Sequence, residues 1–519
     1  MLVPVIIVVL FCQSLGRPQT EIEKDESLMH MIHHHLRKRA AKLNVEETNA
    51  QYWMKNAQFA VNERISRKVN TNVAKNVIMF LGDGMSIPTL AAARMYLGSE
   101  NHKLSFDEFP YTGLSMTYCV DKQVPDSACT ATAYLGGVKG NLGTIGVTAA
   151  VELNDCDAMT NTSNYVDSIA RWSQTKGKRT GLVTTARVTH ASPAGIYAHT
   201  AQRNWEADSN IISDNQDPQI CKDIAYQLVN WDTGNNLNVI LGGGRGEFLP
   251  NNTVDEQGNR GNRSDGINLI DEWLENKSDQ GQAEYVWNRD QLLNIDDSTD
   301  YLLGLFDASH IPYNLERNSS VVPSLEEMTE AAIKMLEKSP QGYFLFVEGA
   351  RIDMAHHEAQ ARKAFEETSE FSKAVQKAVD ITNEEDTLIV VTSDHAHTMS
   401  ISGYPERGND ILGLGGKDMD GFFYTTINYA NGMGYRTLDA DGSRHDYSKD
   451  DFSDINYRYP GVFPMESETH GGDDVGIFAR GPWSHLFTGV MEQNVIPHLM
   501  AYASCVSDGI TVCDFLKES

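Results

Sequence analysis

Positive charge is what this chain of 519 residues has little of: 43 lysines and arginines stand against 71 aspartates and glutamates, for a formal net charge of −28. A surface so acidic repels phosphate backbones and anionic bilayers, which argues against nucleic acid or an acidic membrane as a partner. An anionic small molecule must instead be captured by positive charge concentrated in one place. Long hydrophobic runs are missing too, apart from the first residues. MLVPVIIVVLFCQSLG is short for a bilayer span and ends in small residues, so residues 1–16 are expected to be a signal peptide cleaved near Gly16. The final CDFLKES is too short and too polar for a lipid-anchor signal, so no membrane anchor is expected. No low-complexity tract dominates, and 41% hydrophobic residues is an ordinary globular composition.

Cysteines are few but even once the leader is set aside. Removing Cys12 leaves Cys119, Cys129, Cys156, Cys221, Cys505 and Cys513, which fits disulfides in an oxidising, extracellular compartment. Spacing alone allows several connectivities. Proximity favours Cys119 with Cys129 and Cys505 with Cys513, leaving Cys156 with Cys221. Sequons at Asn161, Asn251, Asn262, Asn276 and Asn318 suit the same secretory route. Residues 17–44 read as a polar arm, in which HHHLRKRA offers a processing point after Arg39.

Apolar, β-branched runs recur at residues 76–81, 181–185, 238–241, 343–347, 387–391 and 475–479. Their lack of alternation suits strands buried on both faces. Between them lie helical patterns. Ser324 with Glu327 makes a capping box ahead of Met328, Ala331, Ala332 and Met335. The stretch from His356 to Asp380 carries one stripe through Phe365, Val375 and Val379 and is expected to be a single helix. The alternation predicts an α/β fold, with a large, mostly parallel central sheet flanked by helices on both faces. Residues 403–465, rich in Gly, Tyr and Asp, read as a small inserted subdomain, so the catalytic domain is expected to span residues 45–402 and 466–519.

In such sheets ligands bind beyond the carboxyl ends of the strands. The residues found there are chemically concentrated: Asp83 after the first run, His190 and Ser192 after the second, Glu348, Asp353, His356 and His357 after the fourth. Asp394, His395 and His397 follow the fifth, and His470 precedes the last. Any one of these is more often structural than functional, but their recurrence at one edge of one sheet points to a metal cluster. Asp353 and His357, four apart, share a helix face and with His470 leave coordination open, as catalytic zinc requires. Asp83, Asp394 and His395 make a second nitrogen-and-oxygen set. Asp83, Ser192 and Glu348 make an all-oxygen set, which favours magnesium.

One stretch raises a separate question. VPDSACTATAY places Ser127 and Cys129 two apart at the head of an alanine-rich helix pattern. Residues two apart on a helix differ in direction by about 200°, so only one of them can face the ions.

Seven motifs in order, FLGDGM, VPDSACTATAY, THASPAGIYAH, RNW, FVEGARIDMAHHE, SDHAH and ETHGGDDVGIFARGP, make the chain resemble the animal alkaline phosphatases from about Val45 to Asp514. The resemblance implies the alkaline phosphatase fold, a homodimer, two Zn2+ and one Mg2+ per subunit, and hydrolysis of small phosphate monoesters. It implies Ser127 as nucleophile joining the second zinc, Asp83 bridging to magnesium, and Arg203 as the phosphate clamp. Asp126, beside the nucleophile, is expected to orient that clamp, and His190 is expected as a further catalytic side chain. The chain departs from the pattern in three places. Met354 stands where relatives have a basic residue, Val322 stands where a carboxylate of a structural Ca2+ site is expected beside Phe306 and Asp307, and Cys119 with Cys129 suggests an added bridge. A phosphodiesterase or sulfatase could share the two-metal core, but the all-oxygen site favours a monoesterase and no Cys/Ser-x-Pro-x-Arg motif is present. An inactive, metal-stapled binding protein would have no use for Ser127 and Arg203 together with open coordination positions.

Overall fold

A computed structural model describes residues 45–514. The expected signal peptide and the arm through Arg39 lie outside the described residues.

The strands, in chain order, are β1 Asn76–Gly82, β2 Tyr111–Met116, β3 Arg179–Arg187, β4 Val239–Gly243, β5 Ala283–Val286, β6 Tyr301–Leu305, β7 Tyr343–Gly349 and β8 Thr387–Thr392. Then come β9 Ala396–His397, β10 Met399–Ile401, β11 Leu414–Lys417, β12 Phe423–Thr425, β13 Ile427–Gly432, β14 Gly461–Pro464, β15 His470–Gly471, β16 Val475–Arg480 and β17 Gly489–Glu492. Ten of them form one sheet in the order β17-β2-β16-β8-β1-β7-β3-β4-β6-β5. Its pairings are parallel except those of β16, which runs against both β8 and β2. The expected α/β architecture is therefore what the chain adopts. All six apolar runs are strands of this sheet, but β2, β5, β6 and β17 belong to it as well, and the run at 475–479 is not its last strand.

Buried strands explain the continuous apolar runs. Along β1, Val77, Met79 and Leu81 enter the core on one face while Ile78 and Phe80 enter the core on the other. One face is covered by the helices Ser127–Gly136, Ile224–Asn230, Leu269–Lys277 and Val495–Ser504, and the other by Leu325–Leu336 and Ala361–Ile381. The capping box at Ser324 forms as expected: its side chain accepts from the Glu327 N–H while the Glu327 carboxylate accepts from the Ser324 N–H. The long stripe after His356 is two helices, not one. Arg351–His357 ends, Ala359 takes a left-handed φ of 57°, and Ala361–Ile381 begins. The stripe residues Phe365, Val375 and Val379 all lie in the second helix, so the apolar period carries no mark of the break ahead of it.

The register levels the strand ends where chemistry is expected. Leu81 pairs with Glu348 and with Thr392, and Thr184 pairs with Glu348, so four neighbouring strands finish at one height. Because β16 is antiparallel, its beginning lies at that same edge and brings in His470 from ahead of it. Between Met399 and Pro464 the chain leaves the large sheet for two small ones, β10-β13-β14 and β11-β12. All three expected disulfides are formed, Cys119–Cys129, Cys156–Cys221 and Cys505–Cys513.

Removing the cap with Ser324→Ala should lower unfolding stability by about 1 kcal/mol in chemical denaturation and leave turnover unchanged, because the Ser324 hydroxyl bonds to the Glu327 N–H of its own helix start and to none of the side chains described next.

Candidate metal centre

Each strand end delivers its side chain through a short turn. After β1, Gly84 holds φ +65°, and a Cβ there would fall 2.6 Å from the His397 ring, so the second glycine of GDG is needed to bring Asp83 beside the other ligands. Its N–H donates to Asp394 Oδ1 at 2.9 Å, joining the ends of β1 and β8. After β7 the helix Arg351–His357 puts Asp353 and His357 on one face, as their spacing predicts.

The first cluster gathers Asp353, His357, His397 and His470, with ligand-type atoms all within 4.8 Å of one another. His357 Nδ1 lies 2.5 Å from the Glu468 carbonyl and His470 Nδ1 lies 2.7 Å from the Pro125 carbonyl. A carbonyl only accepts, so both rings carry their proton on Nδ1 and both Nε2 atoms present a lone pair. Those two nitrogens are 3.0 Å apart, and each is 3.4 Å from Asp353 Oδ1. Three electron-rich atoms meeting in this way need a cation between them. His397 plays another part. Its Nδ1 lies 2.5 Å from Glu468 Oε2 and its Nε2 2.6 Å from Asp353 Oδ1, so both nitrogens donate to carboxylates and neither is a ligand. Burial opposes its charge, but the Glu468 and Asp353 carboxylates raise its pKa to about 10.

The second cluster surrounds the serine. His395 Nε2 is 3.2 Å from Ser127 Oγ, 3.1 Å from Asp394 Oδ2 and 3.5 Å from Asp83 Oδ1. Asp353 also closes on Asp83 and His395, so the two clusters adjoin. Burial, then the nearby His470, holds His395 well below the ordinary histidine range. The third cluster brings Asp83, Glu348 and His190 within 4.8 Å, and the buried Ser192 hydroxyl lies beside Glu348. The sequence expectation paired Ser192, not His190, with those carboxylates. Arg203 Nη2 sits 3.2 Å from His190 Nε2, which as the acceptor leaves the proton on Nδ1.

Electrostatics make the same demand as geometry. Asp83 is pushed well above the carboxylate range by burial and by Asp394, Asp353 and Glu348. Burial, with Asp394 and Asp353 beside it, lifts Glu348 to about 8, and burial with Asp353 lifts Asp394 to about 6. Both oxygens of Asp83, Glu348 Oε1, Asp394 Oδ2 and Ser192 Oγ are buried without a hydrogen bond. Unpaired buried acceptors at this density are expensive unless cations fill the space between them. The donor sets therefore fit divalent metal ions.

The helix Ser127–Gly136 begins at Ser127 with Asp126 as its N-cap. Ser127 faces His395, while Cys129 points away and is bonded to Cys119. Asp126 Oδ1 accepts from the Cys129 and Gly143 N–H groups, and its Oδ2 accepts from Arg203 Nη1 at 3.0 Å. Every sequence-expected site residue thus lies in this region. Met354 is half-buried, and Arg351 Nη1 approaches its Sδ at 2.8 Å. Val322 is packed in the apolar core, Asp307 Oδ1 caps the Ser309 N–H, and the Phe306 carbonyl faces Gln257 Nε2. That arrangement does not fit a calcium ion. The sequence marks His397 only as one of a run and gives no signal for Glu468; their roles come from contacts 71 positions apart in sequence.

Comparison with known proteins supplies the family. The family model for alkaline phosphatase matches residues 74–506. The membrane-bound alkaline phosphatase of Bombyx mori is 48% identical over 488 residues, covering 91% of this chain and 88% of that protein. The tissue-nonspecific isozyme of alkaline phosphatase from Homo sapiens is 45% identical over 483 residues, covering 90% and 91%. Among solved structures, alkaline phosphatase from Thermus thermophilus matches with a TM-score of 0.60 at 21% identity, covering 87% of this chain and 97% of that one, a likeness of fold.

The Glu468 carboxylate holds His397 against the ligand Asp353, so Glu468→Ala, which keeps the backbone carbonyl on His357, should weaken retention of divalent metal about 10- to 100-fold, read by titrating the protein against a chelator.

Proposed function

Because the chain belongs to the alkaline phosphatase family, whose members hydrolyse phosphate monoesters, we propose that Ser127 is the nucleophile of this metal-dependent hydrolase and Arg203 its phosphate clamp. Zn2+ is assigned to Asp353, His357 and His470, and a second Zn2+ to Asp83, Asp394, His395 and Ser127. Mg2+ is assigned to Asp83, Ser192 and Glu348, with the His190 ring beside them. The observation that carries the reading is the pair of imidazole lone pairs 3.0 Å apart beside a carboxylate, next to a serine at a helix N-terminus.

Divalent ions in these positions would polarise phosphoryl oxygens, lower the pKa of a bound hydroxyl or water and offset charge on the leaving oxygen. Ser127, held as its alkoxide at the positive end of its helix, attacks phosphorus while the bond to the leaving alcohol breaks. Water then hydrolyses the phosphoseryl intermediate and frees inorganic phosphate. The planar guanidinium of Arg203 binds two phosphoryl oxygens, and Asp126 fixes the plane of that fork. His190 restrains its other nitrogen. All these groups address the phosphoryl end, so broad specificity for the alcohol follows.

The same reading covers the setting. Paired cysteines and exposed Asn161, Asn251, Asn262 and Asn318 support a secreted glycoprotein. Among the described residues no helix is long and apolar enough to cross a membrane. The helix Ala50–Ser66 exposes Trp53, Phe59 and Ile65, and β14 exposes Val462 and Phe463, apolar faces that a second copy would cover in a homodimer.

Ser127→Ala should abolish trapping of labelled phosphate on the protein after acid quench; a variant that still traps it would refute the assignment. Arg203→Ala should weaken competitive inhibition by inorganic phosphate about 10- to 100-fold, the loss of about 1.5–3 kcal/mol of charged hydrogen bonding.

A further inference from the structure

The Cys119–Cys129 bridge is set into the catalytic apparatus in a way the other two are not. It closes a loop ten positions long across Val120–Val124, a stretch without regular structure in which Val120 is 57% and Val124 42% exposed. The stretch is tied to the body by the Val120 N–H on the Gly140 carbonyl at 3.0 Å and by Asp121 Oδ1 accepting from the Leu142 N–H at 2.9 Å. Immediately after it come three consecutive residues, each with a separate task at the site. The Pro125 carbonyl accepts from His470 Nδ1 and so aims that ring. Asp126 caps the helix and holds Arg203. Ser127 itself faces His395. The far anchor, Cys129, lies in the first turn of the helix that Ser127 begins. One covalent ring therefore encloses the partner of a metal-ligand ring, the partner of the clamp and the serine.

We propose that the Cys119–Cys129 disulfide is a positioning element of the hydrolytic site, holding Pro125, Asp126 and Ser127 in mutual register. This rests on the reading of Ser127 as nucleophile and adds to it. Without the bridge the exposed stretch moves, and the three groups lose alignment together. A misplacement of about 1 Å at reacting groups costs up to about a hundredfold in rate, far beyond what loss of a small-loop staple does to an enzyme that stays folded. Cys505–Cys513 supplies the internal control, since it closes a loop eight positions long, with the same Cα separation of 5.8 Å, on residues that touch none of these groups. Chain-entropy stabilisation by the two bridges is comparable.

The test compares the metal-loaded wild type with Cys119→Ala/Cys129→Ala and Cys505→Ala/Cys513→Ala variants, well below their unfolding temperatures. Each is assayed for kcat and KM on a phosphate monoester, for inhibition by inorganic phosphate, and for bound metal. The proposal predicts that the first variant keeps its metal but loses at least about tenfold in kcat and several-fold in phosphate affinity, while the second keeps both. Wild-type kcat and phosphate inhibition in the first variant, or equal losses in both variants, would overturn it. If the first variant does not fold, the same readouts on wild-type holoenzyme before and after mild phosphine reduction decide, with the freed thiols located by alkylation. Retained kcat with Cys119 and Cys129 reduced would then overturn it. Failure of the underlying reading looks different: Ser127→Ala would keep its phosphoenzyme, or the wild type would not turn over the monoester.

Discussion

Everything at the site depends on repulsion between like groups that the fold forces together. Asp83, Glu348, Asp353 and Asp394 converge in a buried space with imidazole lone pairs aimed inward, a folded state that is costly without divalent cations. The sheet can impose that arrangement because its strands end level and its core holds them there. Metal binding and folding are thereby coupled: ions that relieve the repulsion stabilise the native chain and in the same act supply the charge that draws in phosphate. The acidic surface fits this design, since it leaves the cluster and Arg203 as the places where an anion is welcome.

Surrounding side chains decide how the cluster is held. Nδ1 protons on His357 and His470 are fixed by backbone carbonyls, so ligand tautomers are set by the chain path. His397 runs the other way, a charged donor between Glu468 and Asp353 that pins the carboxylate from behind. On the substrate side, Asp126 links the nucleophile's helix to the clamp, and the disulfide ring beside it makes that linkage covalent.

The buried centre of the sheet was legible from the sequence because strands covered on both faces must be apolar throughout, and ligands beyond their ends stand out as polar residues following apolar ones. The edges were not. β5 and β17 are four residues long and half exposed, and β2 alternates exposed and buried positions. β6 has no β-branched residue and could as well be helical. Helix periodicity passed over the break at Ala359, which depends on one left-handed residue. Metal ligands were found by type and position, whereas Glu468 lies in an irregular segment whose partners are set by tertiary contact alone. His190 stands out by type, but its place beside Asp83 and Glu348 is set by tertiary contact alone.

The most direct measurement is anomalous diffraction at the zinc absorption edge from crystals of the purified protein, paired with metal analysis of the same sample. Two strong peaks are predicted, one enclosed by Asp353, His357 and His470 and one by Asp83, Asp394 and His395 beside the Ser127 hydroxyl, with a lighter ion near Glu348. Well-ordered crystals of active enzyme with no metal among these side chains would contradict the account.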